Sequence, residues 1–384
     1  MSVDTKGWLK KLTKDFGMLA SEIPNMEKPC IPSWSPSLNW ALDTASANSD
    51  GGWKPGKISI LYGAENAGKS MLAAMAIIEQ QRRDPDAIAV WFDAEFSFAS
   101  KLFSKLGGDL SRVIVRKSND PVKIFDYIGG ELLEMLQDGA PIKAIVIDSI
   151  KSIRYPKDIK KVSTDQTMGG NGAPYLTSAL KMVIPVVAEH NLLTFFVQQC
   201  SQQLDPMKAL RNPYVVPDGN ALKHAADFML EITKVETKAG VIESGETISG
   251  AAAQLGHKIR VKVRKNRCGA PARMAQFTFH YDKGIVDTGL EIYDLGKALG
   301  VITHPINPDT GKPNVMMWTV GDHAPIRGEP ACKAFVVGSK EVQDEVMAAC
   351  TKAHAQKLAA TDDPETIEID YEAEEIETRA MLEV

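Results

Sequence analysis

The feature that most constrains the fold is a short loop whose residues are Gly63, Ala64, Glu65, Asn66, Ala67, Gly68, Lys69 and Ser70. An apolar run from Ile58 to Tyr62 precedes it, and a helical pattern over about 69–83 follows it. This is the GxxxxGK[ST] pattern, in which backbone N–H groups at a helix N-terminus surround phosphate oxygens. The context predicts an ATP site in which Lys69 contacts the β- and γ-phosphates and Ser70 offers a hydroxyl to Mg²⁺. A glycine-rich turn without a ligand is the alternative that this context disfavours.

Apolar runs that alternate with helical segments predict a parallel sheet with helices between its strands. The predicted strands are Ile58 to Tyr62, Ala87 to Phe92, Val113 to Arg116, Ala144 to Asp148 and Leu192 to Gln198. Helices are predicted at about 69–83, 121–137 and 174–190. Antiparallel strands are predicted after residue 225, at Phe228 to Glu236, Lys258 to Arg264 and Met274 to Tyr281. The expected fold class is therefore α/β with a mixed, mainly parallel sheet.

The length of the chain favours one large domain with smaller appendages, because 384 residues exceed the size at which a single core usually stops growing. One face of a predicted amphipathic helix at residues 4–20 carries Trp8, Leu9, Leu12, Phe16 and Leu19. We expect an N-terminal oligomerisation arm at 1–33, a core at 34–289, a small α+β domain at 290–360 and an acidic, disordered tail at 361–384.

Composition excludes several classes of protein. The longest apolar stretches are far too short for a membrane span, and the first residues lack an apolar secretory segment, so we expect a cytoplasmic protein. The five cysteines are scattered without a CxxC pair, which argues against a disulfide framework and a zinc site. The net charge of −5 does not exclude nucleic-acid binding, because an average over the whole chain conceals local basic segments.

Polar side chains follow three of the predicted strands. Asp148 ends one of them and is expected to face the metal ion, and Asp93 and Glu95 stand at the end of another. Glu95 has the longer reach for orienting an attacking water, but a plain surface carboxylate is equally compatible with the sequence. Gln198 and Gln199 end a third strand, where an amide can sense the γ-phosphate or merely bond the backbone. Spacing alone does not decide between these alternatives.

The run from about residue 31 to 290 resembles the RecA-type DNA recombinases. The matching stretches are Ile31-Pro32-Ser33, Ser37-Leu38-Asn39-Trp40-Ala41-Leu42, Asp93-Ala94-Glu95, Ile147-Asp148-Ser149, Gln198-Gln199 and Gly219-Asn220-Ala221-Leu222-Lys223. The last two discriminate best, because many ATPases share the phosphate loop and the strand-end aspartate. Phe96 after Asp93-Ala94-Glu95, together with the acidic tail, looks most similar to the phage-encoded, UvsX-like branch.

The resemblance implies roles for individual residues. Glu95 corresponds to the general base, and Gln199 corresponds to the γ-phosphate sensor that couples the nucleotide to DNA binding. Lys265 and Arg267 resemble the family's paired cations, which reach across the subunit interface to the neighbour's ATP. Arg267 stands where bacterial relatives carry lysine, and a solvated basic strand edge is the alternative for this segment.

The tyrosine that stacks on adenine in relatives is missing from this chain. A gap-free count from Asp93 arrives at Leu102, so the neighbouring Phe103 is the candidate for that role.

Two segments that follow predicted strand ends resemble the family's DNA-binding loops. Candidate contacts in the first, Lys151 to Gly172, are Arg154, Lys157, Lys160, Lys161, Met168, Gly169 and Gly170. Candidate contacts in the second, Cys200 to Gly219 and its following turn, are Lys208, Arg211, Gly219 and Asn220. Such contacts hold the DNA backbone without reading sequence. Solvated loops without a ligand are the alternative.

The resemblance therefore implies a DNA-dependent ATPase that uses ATP and Mg²⁺. Its expected partners are single-stranded DNA, duplex DNA as the second substrate, further copies of itself in a helical filament, and single-strand-binding and mediator proteins. It is expected to catalyse homologous pairing and strand exchange. Two alternatives stay open: a ring-forming helicase or packaging motor of the same fold, and a non-catalytic accessory paralogue.

Overall fold

The computed structural model describes residues 6, 9–11, 14, 28–44, 51–153, 172–202, 214–215, 219–235, 240–248, 251–271, 273–308 and 310–360. Most of the predicted N-terminal helix lies outside these ranges, although residues 6, 9–11 and 14 are helical. The acidic tail and most of both predicted DNA-binding loops also lie outside them.

Five parallel strands form one half of the main sheet. They are β1 (Ile58–Gly63), β2 (Ile88–Asp93), β3 (Val113–Lys117), β4 (Ile142–Asp148) and β5 (Leu193–Gln199). Their spatial order is β1-β5-β4-β2-β3, and each neighbouring pair is parallel. Their apolar runs are nearly continuous because both faces of the sheet are covered. Each predicted strand is confirmed, within two residues at either end.

The other half of the main sheet is mostly antiparallel. The short strands β6 (Ser201–Gln202) and β7 (Tyr214–Val215) pair with each other. They are followed by β8 (Phe228–Lys234), β9 (Val241–Ile248), β10 (Ala251–Asn266), β11 (Met274–His280) and β12 (Gly284–Val286). Strand β8 joins β1 in parallel, and β10, β11 and β12 follow as antiparallel neighbours. Strand β9 pairs with the first part of β10. The mixed sheet is confirmed, and β10 is longer than the predicted strand.

Helices cover both faces of the sheet. They are α1 (Pro36–Leu42), α2 (Lys69–Arg83), α3 (Ser100–Lys105), α4 (Glu131–Gln137), α5 (Gly172–Glu189) and α6 (Gly219–Ala225). The helix predicted at about 121–137 is confirmed except at Gly130, which divides it: a π-helix at Val122–Asp126 and a short helix at Tyr127–Gly129 precede α4. The helical conformation is interrupted at Gly130, whose φ of −114° and ψ of −101° lie far from helical values. Glycine tolerates that conformation because it has no Cβ.

Adjacent residues of the central strands point into two different cores. Phe195 packs on the α2 side of the sheet, where its ring meets Trp53 edge-on at 5.0 Å between centroids. Phe196 packs on the other side with residues of α5 such as Leu180. Burial of each such side chain contributes about 1.5–3 kcal/mol relative to exposure. The sheet is therefore held rigidly between two apolar layers, which fixes the positions of the strand ends.

The C-terminal region contains α7 (Thr288–Leu299), β13 (Ile302–Thr303), β14 (Met317–Val320), β15 (Ile326–Arg327), α8 (Glu329–Gly338) and α9 (Lys340–Ala360). The three short strands form a separate antiparallel sheet. Its apolar side chains are continuous with the core on the α2 side, and α7 packs against α1 and β11. Within the described residues, no helix is long and apolar enough to cross a membrane. All five cysteines are free thiols.

Candidate nucleotide site

The parallel strands end at one edge of the sheet and bring the predicted site residues together there. Gly63 at the end of β1 pairs in register with Gln199 at the end of β5. Asp93 at the end of β2 pairs with Asp148 at the end of β4. The backbone N–H groups of Ala94 and Glu95 both donate to the carbonyl of Asp148, at 2.7 and 3.2 Å. Register alone therefore places these groups around the loop that leaves β1.

The loop itself depends on two glycines. A Cβ on Gly63 would lie 2.0 Å from the carbonyl oxygen of Ile232 in β8, which is closer than any side chain tolerates. Gly68, at the start of α2, has a φ of +96°, and a Cβ there would lie 2.8 Å from Cδ1 of Ile259. These positions let the loop pass tightly over the sheet edge, so that the N-terminus of α2 points at the site. The positive end of the helix dipole and its unpaired N–H groups favour an anion there.

Lys69 lies folded back on the loop. It is 7% exposed, and its Nζ donates to the carbonyl oxygens of Gly63 at 3.2 Å and Ala64 at 2.5 Å. Burial lowers the pKa of its ammonium, while the nearby thiol of Cys200 and the carboxylates of Asp148 and Glu95 oppose that shift. Phosphate oxygens are stronger acceptors for an ammonium than neutral carbonyls. Lys69 is therefore placed to exchange its loop carbonyls for phosphate oxygens.

Glu95 is the centre of a hydrogen-bonded cluster. Its Oε1 accepts from Nε2 of Gln199 at 2.9 Å, from the hydroxyl of Ser149, and from the hydroxyl of Ser152 at 3.4 Å. Lys151 Nζ donates to Oε1 of Gln199 at 3.4 Å. The cluster fixes the direction of the carboxylate through a single oxygen, which leaves Oε2 to orient a water molecule.

The carboxylates of Asp93 and Asp148 have different surroundings. Asp93 accepts from the backbone N–H groups of Ser97 at 2.9 Å and Phe98 at 3.0 Å, so it holds the turn after β2. Asp148 accepts a hydrogen bond from the Ser70 hydroxyl. Burial, together with the nearby charges of Glu95 and Asp93, raises the pKa of Asp148 to about 6. A buried carboxylate beside a hydroxyl at the mouth of a phosphate loop is the donor set that suits Mg²⁺. These residues therefore fit the predicted metal.

A cavity of about 750 Å³ joins these groups. Its walls include the loop and helix start at 65–71 together with Glu95, Asp148 and Gln199. This volume lies within the range of about 300–1,000 Å³ that is usual for small-molecule sites. The far wall consists of Lys234, His257, Phe279 and Tyr281, which the sequence patterns did not single out.

Phe103, the candidate for stacking on the base, is a buried residue. It is 2% exposed and lies beside Phe98, with 5.9 Å between ring centroids. It lines a small inner cavity of about 80 Å³ rather than the nucleotide cavity. A Cβ on Gly108 would lie only 2.2 Å from its ring, so the ring is packed directly on the backbone. In this position the ring is not part of the wall of the nucleotide cavity.

Lys265 and Arg267 lie at the opposite edge of the sheet. Strand β10 runs antiparallel to β8, so Lys265 pairs with Met229 near the start of β8. Lys265 Nζ donates to the carbonyl of Lys223, and Arg267 Nη2 donates to the carbonyl of His224 at 2.8 Å. Both cations thus sit at the C-terminal end of α6, the helix that begins with Gly219 and Asn220. They are remote from the chain's own phosphate loop.

The remaining DNA-binding candidates lie outside the described residues. They are Arg154, Lys157, Lys160, Lys161, Met168, Gly169, Gly170, Lys208 and Arg211.

Comparison with known proteins agrees with the geometry of the site. The model of the RecA N-terminal domain matches residues 6–286. This chain belongs to the RecA family. It is 29% identical over 343 residues to Protein RecA of Porphyromonas gingivalis, a match that covers 88% of this chain and 90% of that one. Protein RecA of Aquifex pyrophilus is 29% identical over 299 residues, covering 77% of this chain and 78% of the relative. Protein RecA of Thermus aquaticus is 27% identical over 298 residues, covering 77% and 80%.

Family membership makes the chain a RecA-type recombinase and an ATPase, and it favours neither the helicase nor the accessory alternative. The sequence identified Lys69, Ser70, Glu95, Asp148 and Gln199, all of which meet at one sheet edge. It did not identify Ser152 or His257 as site residues. Ser149 was part of a matching stretch, but no role was predicted for it. Its position directly after Asp148 could have indicated that its hydroxyl lies at the site, where it donates to Glu95.

Proposed function

We propose that this protein assembles head to tail on single-stranded DNA into a helical filament that hydrolyses ATP and exchanges DNA strands. The observation that carries the proposal is the separation of two half-sites on one sheet. The phosphate loop, Glu95 and Gln199 lie at one edge, and Lys265 and Arg267 lie at the other. A pair of half-sites at opposite ends of a subunit favours a heterologous contact, which propagates as a helix when it does not close into a ring.

In this arrangement Lys69, Ser70 and Asp148 bind MgATP, and Glu95 orients the attacking water. Lys265 and Arg267 act on the ATP of the neighbouring subunit, as cations in trans do in other phosphate-loop enzymes. Both cations donate to backbone carbonyls of α6, and Arg267 Nη1 also lies 3.8 Å from Oδ1 of Asp227; burial lowers the pKa of Lys265. A triphosphate at the subunit interface carries more negative charge than these acceptors and would attract both cations more strongly.

Gln199 links this chemistry to DNA. It bonds Glu95 on one side, and the second predicted DNA-binding segment begins one residue later at Cys200. The backbone N–H of Cys200 donates to the carbonyl of Gly63 in the phosphate loop, at 3.3 Å. A displacement of Gln199 toward a γ-phosphate would therefore move the start of that segment. We assign DNA binding to the two segments Lys151 to Gly172 and Cys200 to Gly219. Single-stranded DNA would bind first, and duplex DNA would enter as the second substrate.

Finer features of the proposal rest on the sequence. Phe96 after Asp93-Ala94-Glu95 and the acidic tail support assignment to the phage-encoded, UvsX-like branch. On that assignment the protein acts in a bacterial cytoplasm during recombination-dependent replication, together with single-strand-binding and mediator proteins. The domain limits 1–33, 34–289, 290–360 and 361–384 belong to the same proposal.

Electron microscopy tests the assembly directly. The full chain, mixed with single-stranded DNA and a non-hydrolysable ATP analogue, should form helical filaments, and Lys69→Ala should form none under the same conditions. Closed rings would indicate a motor, and an absence of any assembly would indicate an accessory protein. Either outcome would overturn the proposal.

A further inference from the structure

Strand β10 contains a β-bulge directly before the first of the two cations at the far edge of the sheet. Val263 pairs with Leu230 of β8, whereas Lys265 pairs with Met229. Neighbouring residues of β8 thus face residues that are two apart in β10, so Arg264 is the extra residue of the bulge. A β-bulge bends its strand and re-aims a side chain, and bulges are frequent next to active sites.

The bulge decides to which face of the sheet Lys265 points. Val263 and its partner Leu230 pack in the core on the α2 side. In an unbroken strand, the alternation of side chains would return Lys265 to that same face. Its partner Met229 instead packs in the core on the α5 side, and Lys265 Nζ donates to the carbonyl of Lys223 in α6. Because directly paired residues share a face, the one extra residue moves Lys265 from one face of the sheet to the other.

An ion pair holds the extra residue in place. Arg264 Nε donates to Oε2 of Glu231 at 2.6 Å, and the Tyr62 hydroxyl donates to the same oxygen at 3.5 Å. Glu231 is 5% exposed, so its carboxylate is largely withdrawn from water. Tyr62 pairs in register with Glu231 and directly precedes Gly63 of the phosphate loop. The bulge is therefore fixed to the strand that carries the phosphate loop.

Stability alone is a weak reason for a chain to contain such a pair. The desolvation of two charges can exceed their attraction, and apolar residues of similar volume are often equally stable in the same place. A pair of this kind can instead select one arrangement of the chain. In β10 the arrangement that it selects is the bulge, and the consequence of the bulge is the direction of Lys265.

We propose that Arg264 and Glu231 are positioning residues for ATP hydrolysis, which hold the bulge of β10 and thereby direct Lys265 toward the ATP of the neighbouring subunit. The inference rests on the proposed function, since it assumes that Lys265 acts on a neighbour. Neither residue of the pair touches the nucleotide. Loss of the pair should therefore impair the cation that a subunit gives to its neighbour and leave the subunit's own phosphate loop intact.

The double variant Glu231→Gln with Arg264→Met tests the assignment, because it removes the ion pair without leaving one charge buried and unpaired. On single-stranded DNA its kcat for ATP hydrolysis should fall about 100-fold, the effect that a displacement of about 1 Å can have on a reacting group. Its Kd for MgADP, measured by calorimetry without DNA, should stay unchanged. Arg264→Lys keeps a charge beside Glu231 and should keep most of kcat.

A second variant and a control complete this measurement, with folding checked by circular dichroism. Arg264→Gln keeps a donor for Glu231 but removes the charge, so it should lose kcat in the same way if the double variant fails to fold. Arg260→Met is the matched control, since Arg260 lies in the regular part of β10 and donates to Gln276 of β11. Its kcat should be that of the unchanged chain. A normal kcat in the folded double variant or in Arg264→Gln would overturn the positioning role.

Mixed assemblies show whether the pair acts on the neighbour. Subunits of the double variant keep their own Glu95, so mixing them with Glu95→Gln subunits, whose Lys265 is unaltered, should restore activity at the mixed interfaces. Mixtures of Lys265→Ala with Glu95→Gln test the proposed function separately, and an absence of rescue there would refute the shared site itself. Rescue in those mixtures but none with the co-assembled double variant would refute only the positioning role.

Discussion

Gln199 donates a hydrogen bond from its Nε2 to Oε1 of Glu95 at 2.9 Å, which links the end of β5 to the turn that follows β2. The same oxygen accepts from the Ser149 hydroxyl, so three strand ends meet at one carboxylate. Since Gln199 stands beside the start of a predicted DNA-binding segment, a change in that segment can reorient Glu95. This hydrogen bond therefore connects the start of the proposed DNA-binding segment to the proposed base, Glu95.

The first prediction separates ATP binding from its hydrolysis. Glu95→Gln should bind ATP with nearly unchanged affinity but hydrolyse it at least about 100-fold more slowly, because the amide cannot accept a proton from water. Lys69→Ala should lose both binding and hydrolysis. A coupled phosphate-release assay with and without single-stranded DNA, alongside a nucleotide titration, measures the two effects. Near-normal turnover in Glu95→Gln would remove Glu95 as the base.

The second prediction concerns the cations at the far edge of the sheet. Arg267→Ala and Glu95→Gln should each be inactive alone, because each removes one half of a shared site. When the two are mixed, interfaces that combine the intact Glu95 of one subunit with the intact Arg267 of the next should regain activity. ATPase measurement across mixing ratios gives the result, with co-assembly shown independently by labelled subunits. An absence of rescue in co-assembled chains would contradict a site shared between subunits.

Much of the core was predictable because its signals are local. The strand before Gly63 is a short apolar run and the loop after it has a recognisable pattern, and the structure has α2 at Lys69–Arg83 as predicted. The break at Gly130 was missed because the apolar spacing over 121–137 continues across it, while glycine permits the chain to leave the helix. His257 could not be predicted as a site residue, since its place in the cavity wall depends on how β10 lies beside β8 and β1. A strand's neighbours across a sheet are not encoded in its own pattern.

The third prediction concerns the phosphate loop's approach to β8. Gly63→Ala should lower the free energy of unfolding by more than about 2 kcal/mol, because the new Cβ would meet the Ile232 carbonyl at 2.0 Å and the strand pair must shift. Gly338→Ala is the control, since nothing lies within 4 Å of a Cβ at that position and it ends helix α8. Urea unfolding followed by circular dichroism compares the two. Equal stability of both variants would mean that the loop adapts without strain.

The fourth prediction concerns pH and a buried acid at the contact between α1 and α7. Glu291 is 5% exposed; its Oε2 accepts from the hydroxyls of Ser35 at 2.5 Å and Ser37 at 2.8 Å, while burial raises its pKa to about 8. The ordinary pKa of a glutamate is 4.5, so the folded chain holds more protons than the unfolded chain between pH 4.5 and 8. Stability should therefore fall as pH rises through that window.

Glu291→Gln mimics the protonated acid and should remove this part of the pH dependence. The measurement is the urea midpoint at several values between pH 6 and 9. Glu131→Gln, which changes an exposed glutamate at the start of α4, should retain the slope of the unchanged chain. The prediction is wrong if Glu291→Gln and Glu131→Gln show the same slope.

The last prediction concerns the acidic segment at 362–384, which follows a chain whose two proposed DNA-binding segments carry lysines and arginines. A tethered polyanion competes with DNA for those cations at high effective concentration. Because binding of single strands falls with salt at a slope of about −0.7 per neutralised phosphate, and that of duplex more steeply, duplex entering as the second strand should be affected most.

Truncation after Ala360 should increase duplex affinity at low salt. The gain should shrink near 1 M salt, where the Debye length is only about 3 Å. Fluorescence anisotropy with labelled duplex measures the affinity at low and at high salt. Equal affinity of the full-length and truncated chains at low salt would mean that the tail does not regulate DNA binding and contributes only to solubility.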